Sequence, residues 1–251
     1  MSQHILSSPI IVGGVGGSGT RLIVDILKNM NIFMGNVLNE SNDNMQLAPS
    51  FPTFRRLIQE QKLTTHEDKK QIIFEILNSF EQSMRRDFAQ QSYQGWGWKV
   101  PGNFLILEYL AEYFESLQYI HIIRHGLDMA YSTNQNQLHN WGHVFGIDIQ
   151  TLPMPKAALK YWIQANNHAI TLGKKLLKDR FLLLNFDTLC QHPNREIQLL
   201  AHFLELGSVD ITQLSQLVEK PTSLGRYKQQ DLSIFDQSEL EAVKKLGFNV
   251  D

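Results

Sequence analysis

Residues Pro9-Ile10-Ile11-Val12-Gly13-Gly14-Val15-Gly16-Gly17-Ser18-Gly19-Thr20-Arg21 run an apolar strand into a glycine-rich turn and then into a helix expected from about Thr20 to Met30. Glycines admit positive φ and let consecutive N–H groups converge on an anion, while the helix aims the positive end of its dipole at the same point. Ser18, Thr20 and Arg21 add two hydroxyls and a cation, so the turn reads as a phosphate cradle inside a strand–turn–helix unit. Gly14 and Gly19 have the spacing of a triphosphate loop, G-x-x-x-x-G-K-[ST], but Thr20 stands where the lysine belongs. Gly14-x-Gly16-x-x-Gly19 also matches the dinucleotide fingerprint, with Glu40 about twenty residues further on. That acid belongs at the tip of a second apolar strand, and Asn36 to Asn44 reads instead as polar loop.

Four short apolar runs read as buried strands: Pro9 to Val12, Trp96 to Val100, Gln118 to Ile123 and Phe181 to Phe186. Helical patterns lie between them. After Thr64-Thr65, with Glu67 and Asp68 as a helix start, Ile72, Ile73, Ile76, Leu77, Phe80 and Met84 recur at helical spacing. Further helices are expected over Phe104 to Phe114, after Gly126, over Ala157 to Leu177 and over Asn194 to Leu204. Strands alternating with helices predict an α/β fold, a parallel sheet covered on both faces, with ligands beyond the C-terminal strand ends. At 251 residues the chain suits one elaborated domain spanning 1–251. Asn36 to Ser50 and Asn134 to Gln150 read as long loops of the kind that carry function.

A net charge of −2 argues against a general nucleic-acid binder. Cys190, the sole cysteine, excludes an internal disulfide. Met1-Ser2-Gln3-His4 carries no cationic leader, and no run approaches the ~20 apolar residues that span a bilayer. The expectation is a soluble, cytoplasmic protein without membrane partners.

The second constellation is Tyr119 to Ser132, in which a strand delivers Arg124 at its end and a new helix is expected to carry Ser132 about one and a half turns in. An arginine fork donates two parallel hydrogen bonds to phosphate and a serine hydroxyl can add a third. Toward the C-terminus, Ser223-Leu224-Gly225-Arg226-Tyr227-Lys228 places two cations and an aromatic beside a glycine hinge. Lys99, between Trp98 and Val100 at another strand end, is costly to bury unless an anion pairs with it.

These residues together resemble the sulfotransferases that use 3′-phosphoadenosine 5′-phosphosulfate. Ile11-Val12-Gly13-Gly14-Val15 leading into Gly17-Ser18-Gly19-Thr20 is similar to the family's 5′-phosphosulfate loop, and Arg124 and Ser132 reproduce its eight-residue spacing of 3′-phosphate ligands. Phe181 to Leu189, His192-Pro193, Leu199 to Leu206 and Ser223 to Lys228 extend the likeness over most of the chain. The resemblance implies a three-layer fold like that of the P-loop nucleotide hydrolases and no metal requirement. It implies cofactor contacts at Gly16, Gly17, Ser18, Gly19, Thr20, Arg21, Arg124, Ser132, Arg226 and Lys228, and Lys99 at the transferring sulfuryl group. Two departures stand out. Gly17 replaces the basic residue before Ser-Gly-Thr, a role Arg21 can take over, and Pro101 occupies the position of the histidine base in phenol and steroid sulfotransferases.

Glu40 lies in the segment that carries the glutamate base of protein-tyrosine sulfotransferases, shifted by about two residues, and is the expected catalytic base. Asp43, His139 and His143 are the alternatives. The expected reaction is in-line sulfuryl transfer to a small-molecule, glycan or peptide hydroxyl, or to an amine. A nucleotide-binding module without chemistry and an ATP-dependent small-molecule kinase are the rival readings. The sequence fixes neither the acceptor nor the oligomeric state.

Overall fold

The computed structural model describes residues 8–59, 65–89 and 92–250. Met1 to His4 and Thr64 lie outside them. A five-stranded parallel sheet forms the centre, with β1 Ile10–Gly14, β2 Ile32–Phe33, β3 Gly95–Lys99, β4 Gln118–Ile123 and β5 Phe181–Asn185 in the order β2-β3-β1-β4-β5. The helices are α1 Thr20–Asn29, α2 Phe51–Gln59, α3 His66–Phe88, α4 Leu107–Tyr113, α5 Gly126–Ala130, α6 Asn136–Trp141, α7 Met154–Leu177, α8 Phe186–Gln191, α9 Pro193–Phe203, α10 Ile211–Ser215 and α11 Gln237–Lys245. None is long and apolar enough to cross a membrane, among the described residues.

Strands buried on both faces need apolar residues in near-continuous runs, which is why β1, β3 and β4 read so plainly. Ile10 and Val12 of β1 pack with Ile23, Leu27, Ile197 and Leu200 of α1 and α9, while Ile11 turns to the opposite core beside Trp98, Tyr119 and α7. The α3 start matches its sequence pattern. Thr65 Oγ1 accepts from Asp68 N and Asp68 Oδ2 from Thr65 N, a reciprocal cap. Ile73, Leu77, Phe80 and Met84 are buried; Ile72 is exposed, on the helix's outer side.

Four expectations change. The 104–114 helix opens as a 3₁₀ turn, Pro101–Ile106, because Asn103 is tied inward, its Nδ2 donating to Val12 O and its Oδ1 accepting from Trp98 Nε1. The helix after Gly126 ends at Ala130, where Gln135 Nε2 donates to the Met129 carbonyl, so Ser132 lies in the turn beyond it. Residues 136–145 are helical, not a long loop, since Leu138 and Trp141 anchor α6 to the core. The two-residue β2 was too short to show any periodicity.

His121 sits in β4 with its ring fully buried against Phe104, Tyr119 and Phe181. Asn166 Nδ2 donates to Trp162 O, which leaves Asn166 Oδ1 to accept from His121 Nε2 and fixes the neutral tautomer. Burial drives the His121 pKa down to about 4, against the opposing Asn166 bond. Between pH 6.5 and 4 the unfolded chain takes up a proton that the folded chain refuses, so stability is complete above 6.5 and falls on acidification. The loss by pH 4 is on the order of 3 kcal/mol. His121→Gln, which keeps a donor toward Asn166 without titrating, will flatten the decline of the urea midpoint over this range. An unchanged slope would refute the assignment.

Candidate active site

The C-terminal ends of β1, β3 and β4 converge, since Val12 pairs with Lys99 and Gly14 with Ile122. Between them the loop 15–19 turns into α1. Gly17 at φ 92° and Gly19 at φ 93° hold the left-handed conformation, and a Cβ on Gly19 would lie 2.1 Å from the Phe186 ring. Ser18 N donates to Val15 O, closing the turn, while the amides of Gly17, Gly19, Thr20 and Arg21 have no backbone acceptor among the described residues. They are the orphan donors of a helix N-terminus, and no side chain caps them. Ser18 Oγ is buried and without a partner. Gly16 N, by contrast, is occupied, donating at 2.7 Å to Gln137 Oε1.

A cleft of about 580 Å³ opens on this loop. Lys99 forms one wall and is only 2 % exposed. Its Nζ donates to Ser41 O at 2.8 Å and pairs with Asp43 Oδ1 at 2.5 Å. Burial pushes the Lys99 ammonium below the ordinary lysine range, with the Asp43 carboxylate opposing. Asp43 is itself positioned: Oδ2 accepts from Asn39 Nδ2, and Asn39 Oδ1 accepts from the amides of Ser41 and Asp43. Asn42, at φ 61°, turns this loop back onto α1 through its bonds to Asp25 and Lys28.

On the other side of the loop, Arg124 is 6 % exposed just past β4. Its guanidinium lies over Phe186 at 5.3 Å and donates to Ser223 Oγ at 2.8 Å and Gly17 O at 3.4 Å, while Nε has no partner. Burial lowers its pKa, Asp128 and Asp187 oppose that, and the nearby charge of Arg226 adds to it. The segment carrying Arg226 is fixed by Asp128, whose two carboxylate oxygens accept from Gly225 N at 2.7 Å and Tyr227 N at 3.1 Å. Tyr227 stacks on His125, ring centroids 4.3 Å apart.

The sequence matches the sulfotransferase family over residues 9–210. The chain belongs to that family. Among solved structures, the sulfotransferase domain from the curacin biosynthetic pathway is similar at 14% identity and a TM-score of 0.67, covering 98% of this chain and 100% of its own. The sulfotransferase domain of the Synechococcus PCC 7002 olefin synthase gives 14% and 0.62, covering 100% and 98%. STF1 from Mycobacterium tuberculosis H37Rv gives 13% and 0.55, covering 96% and 78%. No curated protein matches the sequence. The fold is thus the α/β sulfotransferase fold, and family membership makes the chain a sulfotransferase.

Within this sulfotransferase the expected site residues separate. Gly16, Gly17, Gly19, Thr20, Arg21 and Lys99 all border the cleft. Arg21 donates to the Glu40 carbonyl at 3.5 Å. Glu40 itself is exposed and outside the cleft lining, whereas Asp43 borders it. His139 and His143 face a separate surface depression with Asp148, although Trp141 between them does line the cleft. Arg226 turns its guanidinium to the Ser223 and Tyr131 carbonyls, and Lys228 is exposed over the Tyr227 ring. Ser132 Oγ accepts from Asn134 N. Sequence reasoning passed over Asp128, Ser223 and Gln137. Asp128 was detectable as an acid one helical turn past Arg124; the other two are common polar residues in unremarkable surroundings.

Proposed function

We propose that this sulfotransferase takes its sulfuryl group from 3′-phosphoadenosine 5′-phosphosulfate and passes it to an acceptor hydroxyl or amine in the cleft. The observation that carries the reading is the pair of desolvated cations flanking one glycine loop, Lys99 on one side and Arg124 on the other. Buried cations are tolerated where anions complete them, and two separated cationic points suit a ligand with two separate anionic groups. Orphaned Ser18 Oγ, Arg124 Nε and the four open amides fit such a ligand.

The loop amides, Thr20, Arg21 and Lys99 would hold the phosphosulfate, and Arg124 with Arg226 the 3′-phosphate. The bound nucleotide supplies an activated sulfuryl group. As the acceptor oxygen bonds to sulfur, the bond from sulfur to the 5′-phosphate oxygen breaks and its electron pair leaves with the nucleotide. Lys99 faces that developing charge from a water-poor wall. Asp43, in the cleft and held by Asn39, is the base we assign to the acceptor proton, in place of the exposed Glu40.

Calorimetric titration with adenosine 3′,5′-bisphosphate, AMP, magnesium ATP and NAD tests the reading. The bisphosphate should bind at least about tenfold tighter than AMP, the 3′-phosphate adding charge-assisted hydrogen bonds. Tighter binding of ATP or NAD, or equal affinity for AMP and the bisphosphate, would overturn it.

A further inference from the structure

Gln137 lies in the first turn of α6 and borders the active-site cleft. Its Oε1 accepts two hydrogen bonds, from Gly16 N at 2.7 Å and from Tyr161 OH at 3.3 Å. Tyr161 is 2 % exposed, and burial raises its pKa, so its hydroxyl stays protonated and donates. Gly16 N can only donate, which identifies the atom facing it as the amide oxygen; a flipped carboxamide would set N–H against N–H at that contact. The orientation is therefore locked, and Nε2 is left with both hydrogens and no acceptor among the described residues. It is not among the buried unpartnered atoms, so it reaches open space. Gln137 also borders a small pocket shared with Gly16 and Tyr161, and the active-site cleft is the larger of the two spaces open to it.

Gly17, the next residue of the loop, has no side chain with which to donate. Gln137 supplies a side-chain donor there from a different element, with its rotamer fixed by a loop amide and a buried phenol. A donor held this way needs no reorganisation when charge develops opposite it, which is the condition under which such groups contribute most.

We propose that Gln137 Nε2 donates to a non-bridging oxygen of the transferring sulfuryl group, making it a further catalytic residue in the cleft that Lys99 also lines. The proposal rests on the phosphosulfate reading. It assigns Gln137 to the sulfuryl group alone, not to the nucleotide that remains after transfer.

That difference sets the test. Binding is measured by calorimetry for adenosine 3′,5′-bisphosphate and for the phosphosulfate analogue in which methylene replaces the bridging oxygen, on wild type, Gln137→Glu and Gln137→Leu. Gln137→Leu removes the donor without adding charge; Gln137→Glu also removes the donor and keeps an acceptor for Gly16 and Tyr161, but adds a negative charge, so its loss for the anionic analogue should be at least as large. The expected result is that Gln137→Leu binds the bisphosphate within about threefold of wild type and loses about tenfold or more for the analogue, the scale of one hydrogen bond to a charged group. Equal losses for both ligands would make Gln137 a support for the loop and nothing more, overturning the proposal. Unchanged affinity for both would overturn it as well. A wild-type protein that binds neither ligand would defeat the phosphosulfate reading itself, a result separable from the other two.

Discussion

Arg124→Ala will weaken binding of adenosine 3′,5′-bisphosphate about 100-fold while leaving AMP within about threefold. The guanidinium is nearly enclosed, yet its partners inside the protein are neutral, Ser223 Oγ and the Gly17 carbonyl, and Nε has none. Asp128 and Asp187 lie near enough to act on it through space, but each is engaged elsewhere. Asp128 holds Gly225 and Tyr227, and Asp187 Oδ2 accepts from His125 N. A charge so placed contributes little to stability by itself, because desolvation offsets weak pairing. Its removal should therefore leave thermal stability nearly unchanged, and a selective loss of affinity can be read without the ambiguity of unfolding. Arg124→Lys should recover only part of the affinity, since an ammonium cannot reproduce the two-pronged fork. An equal loss for AMP and the bisphosphate would remove Arg124 from the 3′-phosphate site.

The sheet was legible because parallel strands under two helical layers demand continuous apolar runs, and Ile10 to Val12 or Tyr119 to Ile123 can serve little else. The loop was legible because three glycines between a strand and a helix leave few alternatives. Lys99 and Arg124 announced themselves as charges at the ends of apolar runs, the positions from which a parallel sheet delivers side chains to one edge. What could not be read was set by local turns. Between Asn39 and Asp43 the Asn39 side chain binds two amides and Asn42 takes a positive φ, so Asn39, Ser41 and Asp43 face the cleft while Glu40 faces solvent. No periodicity encodes that, and the acid selected from sequence was three residues away from the one in the cleft. Likewise, two apolar residues in α6 are too few to announce a helix, which hid Gln137 in what looked like loop.

Lys99→Met should lower the rate of sulfuryl transfer by about 10²- to 10³-fold, the loss expected when a preorganised charge facing a developing oxyanion is removed. Bisphosphate affinity should fall far less, by about tenfold at most, because Arg124 and the loop amides still hold both phosphates. The measurement is single-turnover release of label from phosphosulfate, with an acceptor hydroxyl or water as nucleophile. Asp43→Asn separates the two members of the pair. As a base, Asp43 should cost about 10²-fold or more in rate when replaced by Asn; as a mere holder of Lys99, its replacement should change the rate far less. The alkaline limb of the rate profile carries the complementary information. Burial lowers the Lys99 pKa from 10.5 and the Asp43 hydrogen bond and charge raise it, so the wild-type limb should fall below 10.5 and move lower still in Asp43→Asn. The linkage has the same sign. Between the folded value and 10.5 the unfolded chain binds the extra proton, so stability rises with pH in that window even as activity falls. A rate that drops while the fold strengthens distinguishes deprotonation of Lys99 from alkaline unfolding. If Lys99→Met keeps its rate, or the limb stays fixed in Asp43→Asn, the cation at the end of β3 does not face the breaking bond.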